Sequence, residues 1–298
     1  MRVFDTFMFY NELDLLEIRL QLLYPYVDYF IISECNETFS GKRKEFIFQK
    51  NKERFKKYQD KIIYQQLDQV PSSFEAFSKP FYTNYSHSYA HKHNGVPLIS
   101  LSKSFQREVY QRDSVIEPLL KLADDNDIIL MSDLDEIPNP SMFSFVIKHV
   151  ASNNELVHFE QSWFMYYLNN YCDNKWYGTH VCKFSFLLNY SVDLLQYHKE
   201  DPSKLSGGLV VKDSGWHFSF LGGGKKVKEK LRAYDYQGGR TSVFLSLLDR
   251  LYPGRLQKKI LNNKDIFLTN RVFYKKDLSE LFSENLVSIM SKFPIHIR

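Results

Sequence analysis

The first half of the chain alternates between two patterns of apolar and polar positions. Short runs rich in β-branched and aromatic residues predict strands, namely RVFDTFMF, YFIISEC, KIIYQQL and DIILMSD. Between them, NELDLLEIRLQLLYPYV has leucines at helical spacing up to Pro25, and SFQREVYQRDSVIEPLLKLA has the periodicity of a further helix. Strands separated by helices predict an α/β fold with a mainly parallel sheet flanked by helices.

The second half of the chain is rich in aromatic residues within its strand-like runs. LVHFEQSWFMYYLNN, THVCKFSFLLNY and GGLVVKDSGWHFSFLGGG predict strands, whereas the periodicity beyond about residue 225 predicts helices. The sequence contains no internal repeat, low-complexity stretch or clear linker. We therefore expect a main domain over residues 1–235 and a helical C-terminal extension over residues 236–298 packed on it.

Composition indicates a soluble globular protein. Of the 298 residues, 44% are hydrophobic and 25% are charged, which is typical of that class. No apolar run reaches the length of about 18 residues that a membrane span needs, and Asp5 and Glu12 interrupt the start where a signal peptide has its apolar core. Three cysteines without metal-site spacing favour a reducing compartment. We expect a cytoplasmic protein of microbial or viral origin.

The net charge of +4 is too small to predict nucleic-acid binding. Basic residues cluster instead in residues 41–61, where nine lysines and arginines stand against three acidic residues. One interpretation is a solvated helix or loop face. The other is a peripheral surface that contacts anionic lipid or a phosphate-bearing acceptor.

The segment MSDLDEIP places Asp133, Asp135 and Glu136 directly after a buried apolar run. Carboxylates this close repel one another unless a cation or hydrogen-bond donors compensate them. Asp133 and Asp135 lie on the same side of an extended backbone, so both could hold a hard divalent cation through oxygen. Such a cation neutralises a diphosphate leaving group. The alternative is a helix N-cap cluster before Pro138.

Polar residues also follow the other predicted strands of the first half. Asn11 and Glu12 follow the first strand, and Glu34 lies at the end of the second. Ligands of α/β sheets bind beyond the carboxyl ends of the strands. We expect these residues to face the same ligand site as the acidic segment.

A second candidate segment is SGWHFSFLGGG, which contains His217. Its three glycines allow a backbone to approach a ligand closely, and Lys225 and Lys226 supply charge, so the segment predicts a loop that closes over a diphosphate. A P-loop is excluded because the spacing G-x-x-x-x-G-K-[ST] is absent. The alternative is that His217 is an ordinary buried histidine, hydrogen-bonded beneath Trp216.

These motifs occur together in one known order. FDTFMFYNELDLLEIRL, IISECNETFSG, QRD, MSDLDEIP and GWHFSFLGG follow one another as in glycosyltransferase family 17, so the chain resembles that family from about residue 2 to residue 235. The resemblance implies a GT-A-like nucleotide-sugar-binding fold and inverting transfer from a UDP-sugar. It also implies N-acetylglucosamine as the sugar, Mn²⁺ or Mg²⁺ as the cofactor, and a glycan or lipid-linked saccharide as the acceptor.

The resemblance also implies roles for single residues. Asp133 and Asp135 become the D-x-D pair, with Asp135 the direct metal ligand and Asp133 nearer the ribose or the metal. His217 becomes a further metal ligand, for which neutral imidazole is well suited. The remaining donor contacts are Arg112 at the diphosphate or the D-x-D pair, Lys225 at the diphosphate, and Asn11, Glu12 and Glu34 at the uridine.

Inverting transfer also needs a carboxylate that takes a proton from the acceptor hydroxyl. The sequence offers Glu160, Asp193, Asp213 and Asp235 after the D-x-D pair. Asp193, at a predicted helix start, is our first choice and Glu160 the second.

Two other function classes fit parts of the sequence. A phosphohydrolase could use the D-x-D pair as nucleophile and acid, but it would need a later acidic pair for Mg²⁺, and no G-D-x-x-x-D follows. A non-catalytic carbohydrate-binding protein would use the aromatic residues for stacking, but it leaves the acidic segment unexplained.

Overall fold

The computed structural model describes residues 1–70, 92–93, 96–97, 102–190, 192–195, 199, 207–233, 254–267, 269 and 271–298. The strands in chain order are β1 (Val3–Phe9), β2 (Tyr29–Cys35), β3 (Ile62–Leu67), β4 (Lys92–His93), β5 (Val96–Pro97), β6 (Ile128–Met131), β7 (Glu136–Pro138), β8 (Val157–Met165), β9 (Asn170–Lys183), β10 (Leu209–Ser219) and β11 (Phe273–Lys275).

The described helices flank these strands. In chain order they are α1 (Leu13–Leu23), α2 (Ile47–Asn51), α3 (Lys103–Asp113), α4 (Ile116–Leu122), α5 (Phe143–Asn153), α6 (Phe184–Leu187), α7 (Val192–Leu195), α8 (Gly223–Ala233), α9 (Arg255–Leu261), α10 (Leu278–Leu281) and α11 (Glu284–Met290). Short 3₁₀ turns lie at Lys52–Tyr58, Pro140–Met142 and Pro294–His296. Within these described parts, no helix has both the length and the apolar character that crossing a membrane requires.

A nine-stranded sheet organises the described residues. Its order is β3-β2-β1-β6-β9-β8-β10-β7, with β11 paired to β9. The strands β3, β2, β1 and β6 are joined by parallel pairings, and β10 is parallel to β8. The predicted α/β fold with a mainly parallel sheet is therefore confirmed. Antiparallel pairings occur in the second half, where β9 joins β6 and β8.

The core explains why the central strands read as continuous apolar runs. All four residues of β6 are buried, as are all but one residue of β1. Helix α1 covers them with Leu16, Ile18 and Leu20, which are fully buried. Strands buried on both faces lose the alternating pattern. Because β1 and β6 are parallel neighbours, their carboxyl ends meet at one edge of the sheet, where the acidic segment begins.

The C-terminal residues complete this architecture and are not helical throughout. Phe273–Lys275 forms β11, which pairs antiparallel with Asn170, Tyr171 and Cys172 of β9. Helix α11 contacts α1, and its Ile289 and Met290 are buried in the main core. The predicted helical extension thus also adds a strand to the sheet.

Candidate active site

The acidic segment forms a loop between β6 and β7, and a buried arginine fixes its shape. Arg19 of α1 is fully buried. Its Nη1 donates to the carbonyls of Asp133 (3.0 Å), Leu134 (3.2 Å) and Glu136 (2.9 Å). Its Nη2 pairs with Asp5 at 2.5 Å. A buried guanidinium needs such partners for its donors, so α1 and β1 together hold the loop.

Each carboxylate of the loop has a cationic partner from elsewhere in the chain. Lys199 Nζ lies 2.9 Å from Asp133 and 2.7 Å from Glu136. Arg112 lies 3.4 Å from the other oxygen of Asp133. Lys230 lies 2.8 Å from Asp135. These pairs supply the compensation that the spacing of the acids requires.

The pKa values of the two aspartates follow from these neighbours. Burial raises the pKa of Asp133, but Lys199 and Arg112 outweigh it and lower that pKa to about 2. Burial also raises the pKa of Asp135, where Lys230 and His217 outweigh it and hold the pKa well below its ordinary value. Both carboxylates are therefore charged at neutral pH.

His217 is brought to the acidic loop by strand pairing. Strand β10 pairs with β7 so that His217 lies opposite Glu136. Its Nε2 is 3.7 Å from Asp135 Oδ1. Its ring centroid lies 5.5 Å from that of Trp163 and 4.3 Å from that of Trp176. In the part of the chain that the structure describes, its Nδ1 has no hydrogen-bond partner, so the expected buried bond beneath Trp216 is not found for that atom.

Asp135 and His217 fit a divalent cation in part. Metal ligands lie about 2.1 Å from such an ion, so two atoms 3.7 Å apart can share one. Among the described residues, however, no cluster of three or more His, Cys, Asp or Glu side chains is arranged to hold a metal ion. Lys230 already supplies one positive charge to the second oxygen of Asp135. The metal site stays a prediction.

A cleft opens beside this loop, and we call it the donor cleft. Its cavity volume is about 40 Å³, and its mouth is open to solvent. The residues that line it include Tyr10, Phe39, Lys44, Glu12, Asp133, Asp135 and Lys230. Aromatic rings next to cations and carboxylates can hold a base or sugar together with a diphosphate.

The predicted strand-end residues lie around this cleft in different ways. Glu12 lines it and lies 3.4 Å from Lys230, whereas Asn11 donates to Glu229 at 2.6 Å. Glu34 is fully buried. It accepts from Lys44 Nζ at 2.7 Å, from the backbone at the start of α2 and from Tyr64. Its carboxylate therefore anchors Lys44, which reaches the cleft.

The triglycine segment differs from the predicted closing loop. Gly223 and Gly224 begin α8 and pack against α9, where the Gly224 amide donates to Gln257 at 2.7 Å. A side chain at Gly224 would lie 3.1 Å from the backbone of Gln257, which explains the glycine. Lys225 is exposed, and Lys230, in the same helix, is the lysine that reaches Asp135.

The candidate bases are not gathered at the donor cleft. Glu160 contacts Tyr177 at 3.5 Å and Lys175 at 3.7 Å. It is not among the described residues that line the donor cleft. Asp213 is 78% exposed beside Lys175. Asp193 lies in α7, with its side chain outside the described residues, and Asp235 lies outside them altogether.

Local sequence patterns missed Arg19, Lys199 and Lys230. One weak sequence signal indicated that Lys230 faces the protein. Val227 and Leu231 are buried at helical spacing, and they place Lys230 beside the buried stripe of α8. Lys199 had no such signal, because its partners lie 63 and 66 residues away.

Comparison with known proteins identifies one family. The model of glycosyltransferase family 17 matches residues 1–96 and 71–294. No curated protein matches the chain. The family match includes the acidic loop and His217, and it continues past residue 235 through the C-terminal residues that complete the sheet.

Proposed function

The chain belongs to glycosyltransferase family 17 and is a glycosyltransferase, and from that premise we propose that it transfers N-acetylglucosamine from a UDP-sugar, with inversion, to a glycan or lipid-linked saccharide. The observation that carries the proposal is the contact between Asp135, His217 and Lys230 at the edge of the donor cleft. A carboxylate, an imidazole and an ammonium at one point suit a diphosphate and its counter-ion.

The donor would lie along the donor cleft. The uridine would lie against Tyr10 and Phe39, and the diphosphate would lie beside Asp135, where Lys230 and Lys44 could donate to its oxygens. Arg112 and Lys199 hold Asp133 in place. Glu34 orients Lys44. Asn11 and Lys225 stay proposed donor contacts, but neither is among the described residues that line the donor cleft.

Mn²⁺ or Mg²⁺ would be held by Asp135 and His217 with Asp133 beside them. When bound, the ion would neutralise charge that develops on the departing diphosphate. Lys199, Arg112 and Lys230 keep both carboxylates ionised. Arg19 fixes the backbone of the loop.

Peripheral membrane contact stays a proposal for residues 41–61. Several of the basic residues there are engaged within the fold, among them Lys44 with Glu34, Arg54 with Asp14, and Lys61 with backbone carbonyls of Tyr24 and Val27. Exposed basic residues in the same range are Lys42, Arg43, Lys50, Lys52, Lys56 and Lys57. Anionic vesicles that retain the protein at low salt and release it at high salt would support this contact.

The donor is tested with UDP-N-acetylglucosamine, UDP-glucose, UDP-galactose and a GDP-sugar in the presence of Mn²⁺. We expect UDP-N-acetylglucosamine to raise the melting temperature most and to release UDP. Asp135→Ala should abolish the release while the protein stays folded, because Lys230, left without Asp135, still has Glu12 as a partner at 3.4 Å. Unchanged release in that variant would contradict the assignment of Asp135. Phosphate release from phosphomonoesters would instead indicate a phosphohydrolase.

A further inference from the structure

A second cleft adjoins the donor cleft, and the two share part of their walls. Its cavity volume is about 220 Å³, and it lies at the start of α1. Glu12, Asp135 and Lys230 line both clefts. Molecules in the two clefts would therefore meet at the same three side chains. A transferase needs such a meeting point, because its two substrates must react at one carbon.

The charges of the second cleft are balanced within its own wall. Asp14 pairs with Arg54 at 2.6 Å and with His296 at 2.9 Å. Three carboxylates (Glu12, Asp14, Asp135) stand against three cations (Arg54, Lys226, Lys230) and His296. A lining without excess charge favours a neutral polar ligand over a phosphate. Phe218 and Leu221 add an apolar patch, as suits the C–H face of a sugar ring.

Glu12 differs from the other carboxylates of this wall. Asp14 and Asp135 each lie less than 3 Å from a cation, at 2.6 Å and 2.8 Å. Glu12 Oε1 has a longer contact of 3.4 Å with Lys230, and its Oε2 accepts from the Asn11 amide at 3.1 Å. Because Glu12 lines both clefts and its Oε1 is only loosely paired, it is the carboxylate best placed to take a proton.

On the basis of the proposed transferase function, we propose that the second cleft binds a neutral hexose or N-acetylhexosamine of the acceptor and that Glu12 is the general base. The acceptor hydroxyl gives its proton to Glu12 Oε1. Its oxygen forms a bond to the anomeric carbon of the donor. The bond from that carbon to the diphosphate oxygen breaks, and the electron pair leaves with the diphosphate. Glu12 would then take the role expected of Asp193 or Glu160.

The cleft is tested by saturation-transfer NMR with UDP and Mg²⁺ filling the donor cleft. The probes are the methyl β-glycosides of mannose, glucose and N-acetylglucosamine. Lys226 lines the second cleft and its side chain is half-exposed, so Lys226→Trp should narrow it while the protein still folds. We expect the variant to bind the glycoside about tenfold more weakly. Lys258→Trp, at an exposed position of α9, should bind as the wild type does.

Three outcomes separate this proposal from the proposed function. Equal glycoside binding by Lys226→Trp and Lys258→Trp would overturn the cleft assignment. So would the absence of a signal from every glycoside while UDP binds normally. If the wild type binds glycosides but neither binds nor releases UDP, the sugar cleft stands and the proposed function fails.

Glu12 is tested by the rate of UDP release from UDP-N-acetylglucosamine, with and without the best-binding glycoside. Glu12→Gln should lower the rate about 100-fold or more, as expected for loss of a general base, while UDP affinity changes by less than about threefold. Glu12→Asp should give an intermediate rate, because the shorter side chain keeps a carboxylate but holds it farther from the acceptor hydroxyl. Glu280→Gln, an exposed control, should match the wild type. An unchanged rate in Glu12→Gln, or an equal loss of UDP affinity and rate, would remove Glu12 as the base.

Discussion

At the scale of single residues, the acidic loop depends on cations that are distant in sequence. Lys230 is 95 residues from Asp135 and pairs with it at 2.8 Å. Asp135 is buried, so solvent cannot compensate its charge and a cationic partner must do so. A divalent cation at the same carboxylate would therefore compete with the Lys230 ammonium.

Lys230→Met is expected to strengthen Mn²⁺ binding and to weaken UDP binding. Loss of the ammonium leaves more negative charge at Asp135, which favours a metal ion, and it removes a donor to the diphosphate. Titration calorimetry should show the Mn²⁺ dissociation constant falling and that of UDP rising about tenfold, or about 1.4 kcal/mol. Lys258→Met, exposed on the neighbouring helix, is the control. Unaltered Mn²⁺ affinity in Lys230→Met would show that the two cations do not compete.

His217→Phe is expected to raise the Mn²⁺ concentration needed for half-maximal activity without lowering the stability of the metal-free protein. Phenylalanine keeps a ring in contact with Trp163 and Trp176 but has no nitrogen near Asp135. Activity is measured against Mn²⁺ concentration, and stability by urea unfolding in EDTA. A loss of roughly 1–3 kcal/mol of metal-free stability with an unchanged Mn²⁺ requirement would mean that the imidazole makes a structural hydrogen bond instead.

At the scale of elements, helix α1 supports both the sheet and the acidic loop. Its Arg19 is paired with Asp5 of β1 and bonds three carbonyls of the loop. The side chains of Arg19 and Asp5 are both fully buried. The shape of the loop is therefore set by a helix that does not contribute a carboxylate to it.

Arg19→Met is expected to lower the free energy of unfolding by about 3–5 kcal/mol, because it leaves Asp5 as an uncompensated buried charge. Urea denaturation of the metal-free protein measures this. The exposed control Arg43→Met should change stability by less than about 0.5 kcal/mol. A loss in Arg19→Met no greater than in the control would show that Asp5 finds another partner or is neutral.

At the scale of the whole molecule, the C-terminal residues close back onto the first helix. His296 bonds Asp14 at 2.9 Å across 282 residues. The hydrogen bond from His296 is the largest influence on Asp14 and, together with Arg54, lowers its pKa to about 2. A carboxylate whose pKa is depressed in the folded state stabilises the fold above its unfolded pKa and loses that contribution as pH falls through the folded value.

Asp14→Asn is therefore expected to destabilise the protein at pH 6 and to have little effect near pH 2. The full shift corresponds to about 2 kcal/mol, but the side chain is 33% exposed, so solvent screening reduces the expected loss to about 1 kcal/mol. Urea unfolding from pH 6 down to pH 3 should show the difference from the wild type narrowing. Asp213→Asn, which is 78% exposed, is the control. A difference that stays constant with pH would show that the ionised form of Asp14 is not what matters.

The sequence by itself determined the strand–helix order of the first half and the acidic loop after β6, and it marked His217 as a candidate site residue. These features depend on residues that are adjacent or regularly spaced, so apolar periodicity and short motifs reveal them. The same local reasoning gave an α/β fold and the resemblance to the family that the chain belongs to.

The tertiary structure alone decided which groups meet. The pairing of β10 with β7 placed His217 at the acidic loop, and the packing of α8 placed Lys230, rather than Lys225, at Asp135. Of the glycines that predicted a closing loop, Gly222 and Gly223 instead adopt positive φ of 98° and 70°, and Gly224 lies close to Gln257 of α9. Likewise, Asp14, Arg54 and His296 meet in the wall of the second cleft although they lie far apart in the sequence. Contacts of this kind depend on strand register and helix packing across the whole chain, and no local pattern of residues encodes their partners.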